Sequence, residues 1–351
     1  MWPEIGIYIM KKILISVLMP VFMADIRHLK IAAESILQQT YRNFELLVLY
    51  EGNKTDLCFP YLKSIADSRV KVLHFPMKTG LPKSLNAGIR AARGTYLARM
   101  DADDFSEPER FERQLDYMEK HREIDVLGCV CMDMSSHHLR FSKKVNPQVR
   151  KARMMFANAG VAHPSAFIRK RFLDEHGIWY NEKVQGSEDY HLWADIVIHG
   201  GNIDIIPEIL LRYRVHDGQA SQRFSKKMMQ WDAQARQKQL SRYADFNKKE
   251  KAVFSDFNNP WLQDIHIQKT IALFEKLKQA SREKADGEQI LECEIAYQWI
   301  YKAVRSHNGK MLEIRNLHRI WVHGAFSYMI SDVIKAVCGK VLPRIKYRQR
   351  G

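Results

Sequence analysis

The sequence predicts an α/β fold: a mostly parallel central sheet with helices on both faces, followed by a helical C-terminal region. Three observations carry this. Between Lys12 and Met100, short and nearly continuous apolar runs alternate with amphipathic helical stretches, the pattern of parallel strands buried on both faces. Polar, Gly or Pro residues stand where those runs stop. From Gln222 onward the chain changes to long polar and basic stretches with Trp, Met and Leu at helical spacing.

Taken in order, "KILISVLMP" reads as a buried strand ending at Pro20. A helix follows with Ile26, Leu29, Ala33, Ile36 and Leu37 on one face. "FELLVLY" is a second strand, followed by a helical stretch around Tyr61 to Ala66. "VKVLHF" is a third, before a helix carrying Leu81, Leu85, Ile89 and Ala92 that Gly94 is expected to end. "TYLARM" is a fourth. From about Asp125 to Ser221 the pattern mixes short strands ("DVLGCVCM", "SAFI", "NIDIIP", "LLRYRV") with helices near Gln148 to Phe156 and Asp189 to His199. In sheets of this kind ligands bind beyond the carboxyl ends of the strands, where the strand order reverses. Pro20, Glu51, the segment after Phe75, and Asp101 to Asp104 all fall there.

The chain has 351 residues and a formal charge of +15, which suits a polyanionic partner without choosing among nucleic acid, anionic lipid and phosphorylated substrates. Its five cysteines are odd in number and form no C-x-x-C pair. This argues against a disulfide framework or structural zinc and for a reduced, cytoplasmic setting. No run reaches the ~18 apolar residues of a spanning helix. At the start, Met10-Lys11-Lys12 would serve as the natural beginning, leaving the first residues as an upstream extension.

The most informative stretch is "YLARMDADDFSEPERF", where a buried strand ends in Asp101, Asp103 and Asp104. Carboxylates so close raise one another's pKa. They call for a cation, a salt-bridge partner, or a helix to cap. Asp-x-Asp on a tight loop can direct oxygens at one hard divalent ion. Equally, Ser106, Pro108 and Glu109 look like a helix start that Asp104 could serve locally. Two further groups stand out. "VQGSEDYHLWADI" puts Glu188 and Asp189 at the entry of an amphipathic helix, where acids also complement the helix dipole. "LLRYRVHDGQAS" runs a strand out through Arg212, Arg214 and His216. No G-x-G-x-x-G or G-x-x-x-x-G-K-[ST] occurs, which removes the usual marks of dinucleotide or P-loop enzymes.

In this order, "ISVLMPVF", "ESILQQTYRNFELLVLYEG", "GLPKSLNAGIRAARGTYLARMDADDFSEPERFERQ", "HPSAFIRK", "GSEDYHLWADI" and "YRVHDGQAS" resemble successive signatures of family 2 glycosyltransferases with the GT-A fold. Within that family they resemble the bacterial enzymes of capsular, exopolysaccharide and lipopolysaccharide assembly. The resemblance spans Lys11 to Ser221. It implies residues 11–221 as the transferase domain, and the pattern of the residues adds 222–330 as a helical region, 331–351 as a basic tail and 1–10 as an extension. It also implies inverting transfer of a sugar from a nucleotide diphosphate, usually UDP, to an acceptor hydroxyl. Residue by residue, it implies Asp103 with Asp101 and Asp104 around Mn2+ or Mg2+, and Asp101 and Asp103 on the nucleotide. Asp189 becomes the base beside Glu188, and Arg212, Arg214 and His216 support ion and diphosphate. Pro20, Val21, Glu51 and Lys83 line the nucleotide, and His163 and Trp193 the acceptor or donor-sugar side. The sequence departs from the family at Tyr50-Glu51-Gly52-Asn53, where Asp-Asp-Gly-Ser is usual, which bears on nucleotide identity.

The last segment combines apolar residues with Lys335, Lys340, Arg344, Lys346, Arg348 and Arg350 against Asp332 alone. Such a segment is attracted to anionic lipid, and a lipid-linked or glycan acceptor at the inner face of the cytoplasmic membrane would suit it. Two other classes compete. A nucleic-acid-binding protein explains the charge but lacks a recognised module, and acids at strand ends repel phosphate. A non-catalytic sugar-nucleotide binder is compatible with the departure at Tyr50 and Glu51.

Overall fold

The computed structural model describes residues 14–320, apart from 141–144, 216–225, 260–261, 263, 284–287, 306–308, 314–315 and 317–318. His216, the 1–10 extension and the 331–351 tail lie outside the described residues. The chain divides into two compact units, Met1–Pro147 with Gly160–Trp231, and Gln148–Ala159 with Asp232–Gly351.

The first unit is built on one sheet. Its strands are β1 (Ile15–Phe22), β2 (Phe44–Glu51), β3 (Val70–Phe75), β4 (Tyr96–Arg99), β5 (Phe105–Ser106), β6 (Val126–Asp133), β7 (Leu139–Arg140), β8 (Phe167–Arg169) and β9 (Ile203–Tyr213). They lie in the order β3-β2-β1-β4-β8-β6-β9-β5, with β7 against β6. Parallel pairing holds from β3 through β4 and between β6 and β9. The contacts of β8 with β4 and β6, and of β5 with β9, are antiparallel, so the sheet is mixed. Every residue of β2 is buried, as strands covered on both faces require. Even its acid Glu45 is satisfied: Ser16 Oγ donates to it at 2.7 Å and Lys71 and Arg93 pair with it.

The helices of this unit are α1 (Ile26–Leu37), α2 (Cys58–Ser64), α3 (Leu81–Ala91), α4 (Arg110–Lys120), α6 (Lys170–His176) and α7 (Glu188–Ile198). Helix α1 starts because Asp25 accepts the Arg27 N–H at 2.8 Å, and it buries Leu29, Ala32, Ala33 and Ile36. Helix α3 ends at Ala91, and Ala92 after it is extended, so Gly94 is not its left-handed cap. Gly94 is needed for proximity instead. Its N–H donates to Ser16 Oγ at 2.8 Å, and a Cβ there would stand 2.6 Å from the Ser16 nitrogen. The two short strands read in "NIDIIP" and "LLRYRV" are one strand, β9. Its exposed Pro207 is absorbed in an irregularity where β6 passes from Ile206 to Ile209, a place where a sheet tolerates proline.

The second unit contains α5 (Pro147–Arg153), most of α8 (Lys226–Leu240), α9 (Lys248–Asn258), α10 (Ile267–Glu283) and α11 (Glu288–Arg305). Its core gathers Phe254, Phe257, Phe274, Leu277 and Trp299 together with Met155 and Phe156. Those two residues, which the sequence reading put in the first domain, bury their side chains here. Helix α9 carries a capping box between Asn247 and Glu250. Among the described residues no helix is long and apolar enough to cross a membrane.

Candidate active site

Strand β1 lies between β2 and β4, which is where the strand order reverses. It runs on to Phe22, whereas its pairing with β4 stops at Leu18 opposite Arg99. Beyond that point β4 turns away into the acidic loop, and the gap between the two strand ends is the place where α/β sheets take ligands.

Asp101, Asp103 and Asp104 converge there, with one oxygen of each within 4.8 Å of the others. The three explanations offered by the sequence now separate. Capping is not the reason, because α4 begins at Arg110 behind Glu109 with no side-chain cap. A salt bridge is part of it, since Arg99 Nη1 pairs with Asp101 Oδ1. The remainder is Asp104. It is fully buried, and its Oδ1 accepts the Arg214 N–H at 2.8 Å. Its Oδ2 is buried with no hydrogen-bond partner, a cost that native structures rarely carry without a reason. Three converging carboxylates with one bare buried oxygen match the donor set of a hard divalent ion. Burial, with the charge of Asp101, pushes Asp104 well above the ordinary carboxylate range. Burial, with the charge of Asp103, raises Asp101 as well, although Arg99 opposes it.

The loop is held by pairing between β5 and β9, which sets Phe105 opposite Arg212. Arg212 binds Glu107 at 2.6 Å. Arg214 donates its Nε to the Asp103 carbonyl at 2.8 Å as well as its N–H to Asp104. Both arginines therefore brace the acidic loop, a task that the sequence reading gave to neither.

Glu188 and Asp189 open α7, as expected. Glu188 is buried and accepts the Gly186 N–H at 2.5 Å, and burial raises its pKa. Asp189 is half-buried and accepts the Tyr190 N–H at 2.7 Å. Tyr180 lies within electrostatic reach of Arg99, Asp189 and Glu188. Its hydroxyl shares a 2.7 Å hydrogen bond with His163 Nε2, and burial raises the phenol pKa, with the charges of Asp189 and Glu188 adding to it and Arg99 opposing. Asn86 of α3 grips the Tyr180 backbone from both sides, at 3.0 and 2.9 Å. Burial, with the charge of Arg99, holds the His163 imidazole well below its usual range and keeps it neutral.

Several predicted contacts are placed differently. Trp193 is fully buried, its ring 6.2 Å from His163 and its edge against Gly160. It offers no surface to a substrate. Val21 packs in the core, leaving its backbone and half-buried Pro20 at the strand end. Glu51 Oε2 accepts the Thr79 and Gly80 N–H groups at 2.8 and 3.0 Å, which satisfies the start of α3. Tyr50 packs in the core and donates its hydroxyl to the Asn53 carbonyl at 2.8 Å. Lys83 is exposed on the first turn of α3. Arg99, Asn86 and Tyr180 were not foreseen, because an arginine at a strand end and polar residues inside helix or loop patterns carry no signal of their own.

Residues 16–177 match the family described as Glycosyl transferase family 2. An O-antigen biosynthesis glycosyltransferase, WbnJ of Escherichia coli, is 32% identical over 214 residues, covering 58% of this chain and 80% of its own. The amylovoran biosynthesis glycosyltransferase AmsE of Erwinia amylovora is 29% identical over 204 residues, covering 54% and 71%. An uncharacterized glycosyltransferase of Methanocaldococcus jannaschii is 30% identical over 211 residues, covering 59% and 72%. Among solved structures, S. aureus TarS 1–349 in complex with UDP-GlcNAc superposes with a TM-score of 0.57 at 15% identity, covering 90% of this chain and 92% of that one. It shares the fold.

Proposed function

This chain belongs to glycosyl transferase family 2 and is a glycosyltransferase, and from that premise we infer that it transfers a sugar from a UDP-type donor, with inversion, to a hydroxyl of a glycan or lipid-linked acceptor in envelope polysaccharide assembly. The observation that carries this reading is two acidic groups within electrostatic reach of one another: a triad with a bare buried oxygen, and the acids at the mouth of α7, where Glu188 feels the charge of Asp101.

Asp101, Asp103 and Asp104 would hold Mn2+ or Mg2+. A divalent ion there supplies Lewis-acid stabilisation of the charge that grows on the departing diphosphate. Diphosphate is a good leaving group, so the chain need not supply an acid on that side. It needs a base opposite, to take the proton of the attacking hydroxyl. Asp189, half-open at the start of α7, fills that role. Glu188 is too buried for it and serves as the neighbour that shapes the helix entry. His163, neutral and fixed by Tyr180, presents a polar wall to the sugar or acceptor. Arg212 and Arg214 keep the acidic loop in register. Pro20, the Val21 backbone and Lys83 stand at the nucleotide side, and Glu51 contributes by seating the start of α3 beside it. The relatives named for amylovoran and O-antigen biosynthesis support the polysaccharide setting, and the basic tail supports peripheral attachment at the inner face of the membrane.

Thermal unfolding with UDP, GDP, CDP and ADP, each with and without Mn2+, tests the reading. A ligand at a hundredfold over its Kd stabilises by about 2.7 kcal/mol, a shift of roughly 4 °C for a protein of this size. A metal-dependent shift selective for UDP is expected. Shifts with no nucleotide would make the acids structural and the chain a transferase in fold alone.

A further inference from the structure

We propose that Arg99 is a positioning residue that keeps the acidic triad poor in metal until nucleotide arrives, so that the divalent ion enters together with the diphosphate rather than before it. The inference rests on the metal reading of the triad given above.

Arg99 ends β4, and its backbone is held on both sides. Its N–H donates to the Ala166 carbonyl at 2.9 Å, and its own carbonyl accepts Arg110 Nη2 at 2.8 Å. The residue is 4% exposed, its Nη1 pairs with Asp101 Oδ1, and its Nε has no acceptor among the described residues. The guanidinium is therefore a buried cation set against the acidic loop. Asp101 is the open partner of the pair, with 30% of its side chain accessible.

An ion joining the triad must share Asp101 with this guanidinium. With all three acids ionised, three negative charges less one from Arg99 leave two, which a single divalent ion cancels. The guanidinium and the ion repel at close range in a site of low polarity, where such terms are large. A bare ion thus gains less here than from three uncompensated carboxylates. Diphosphate oxygens change the balance: they complete the coordination of the ion, and the neutral rather than anionic metal-loaded site accepts them without repulsion. Arg99 thereby converts independent binding into coupled binding, and the coupling is reciprocal between ion and nucleotide.

Mn2+ binding to the full chain, read from the spectrum of free Mn2+ with and without saturating UDP, tests this in the wild type, Arg99→Gln and Arg99→Lys. Arg99→Gln should bind bare Mn2+ at least tenfold more tightly than the wild type, and the factor by which UDP tightens Mn2+ should fall by at least as much. Arg99→Lys, which keeps the charge on a shorter side chain, should shift both in the same direction by less. Should Arg99→Gln not fold, the lysine variant decides alone. Bare Mn2+ affinity unchanged or weaker in the folded variants overturns the proposal while leaving the metal site intact. Absence of Mn2+ binding in every protein, with UDP or without, overturns the metal reading itself and this proposal with it.

Discussion

The two acidic groups of the first unit carry the same charge in different company. At the end of β4 the acids are matched by arginines: Arg99 on Asp101, Arg214 on the Asp103 carbonyl and on Asp104 through its N–H. At the start of α7, Glu188 and Asp189 rest on backbone N–H groups of Gly186 and Tyr190. In the reading proposed above, an arginine side chain on Asp101 and on the Asp103 carbonyl, with a backbone N–H on Asp104, shapes the triad for a cation. In the same reading, half-buried Asp189 at the helix start takes the proton. The company of the acids, more than their number, separates the two tasks.

That contrast can be broken at four points, from the largest effect to the smallest. Asp189→Asn should lower turnover by roughly a thousandfold or more, within the range of lost general-base catalysis, while UDP affinity with Mn2+ stays near that of the wild type. Turnover near the wild-type value would move the base elsewhere. Asp103→Ala should cost roughly a hundred- to a thousandfold in transfer and, unlike the first variant, abolish the Mn2+ dependence of UDP binding in a titration. The third point involves no charge. A Cβ on Gly160 would lie 2.3 Å from Trp193 Cδ1, so Gly160→Ala should destabilise by about 1–3 kcal/mol through overpacking. It should also shift the acceptor KM more than the donor KM. Equal change in both would show that Trp193 does not shape the acceptor side.

The fourth point is pH. Burial is the first cause of the raised pKa of both Asp104 and Glu188. An acid whose folded pKa lies above its unfolded value loses stability as pH rises from the unfolded value towards the folded one. Asp104→Asn and Glu188→Gln should therefore raise the Tm of metal-free protein at pH 7.5, and the gain should vanish near pH 4. A gain that persists at pH 4 would point to packing rather than charge. For Asp104 alone, saturating Mn2+ with UDP should reverse the order, because the wild type then has its ion.

The parallel half of the sheet was legible because β1, β2 and β4 are buried on both faces and leave unbroken apolar runs. Strands β5 and β7 have two residues each, too short for any period to show. Helix α6 was hidden because only Leu173 of its seven residues is buried. The triad and the start of α7 stood out as unusual clusters of like charge. The residues that connect them did not. Arg99, Asn86 and Tyr180 acquire meaning only through partners 2 to 94 positions away, from Asp101 beside Arg99 to Tyr180 on Asn86, and Trp193 looked exposed to chemistry because a helix pattern does not say which aromatic is sealed under a glycine.

The passage of residues 148–159 into the second unit has a consequence for anyone who would divide the protein. The backbone changes unit after Pro147, after Ala159 and after Trp231, so a single cut does not release a catalytic half. A truncation after Trp231 would retain Met155 and Phe156 while deleting Phe254, Phe257 and Phe274, which share their core. The orphaned insert would present bare apolar surface, a standing invitation to aggregate. The two units are stitched together covalently, and expression of one asks for the other.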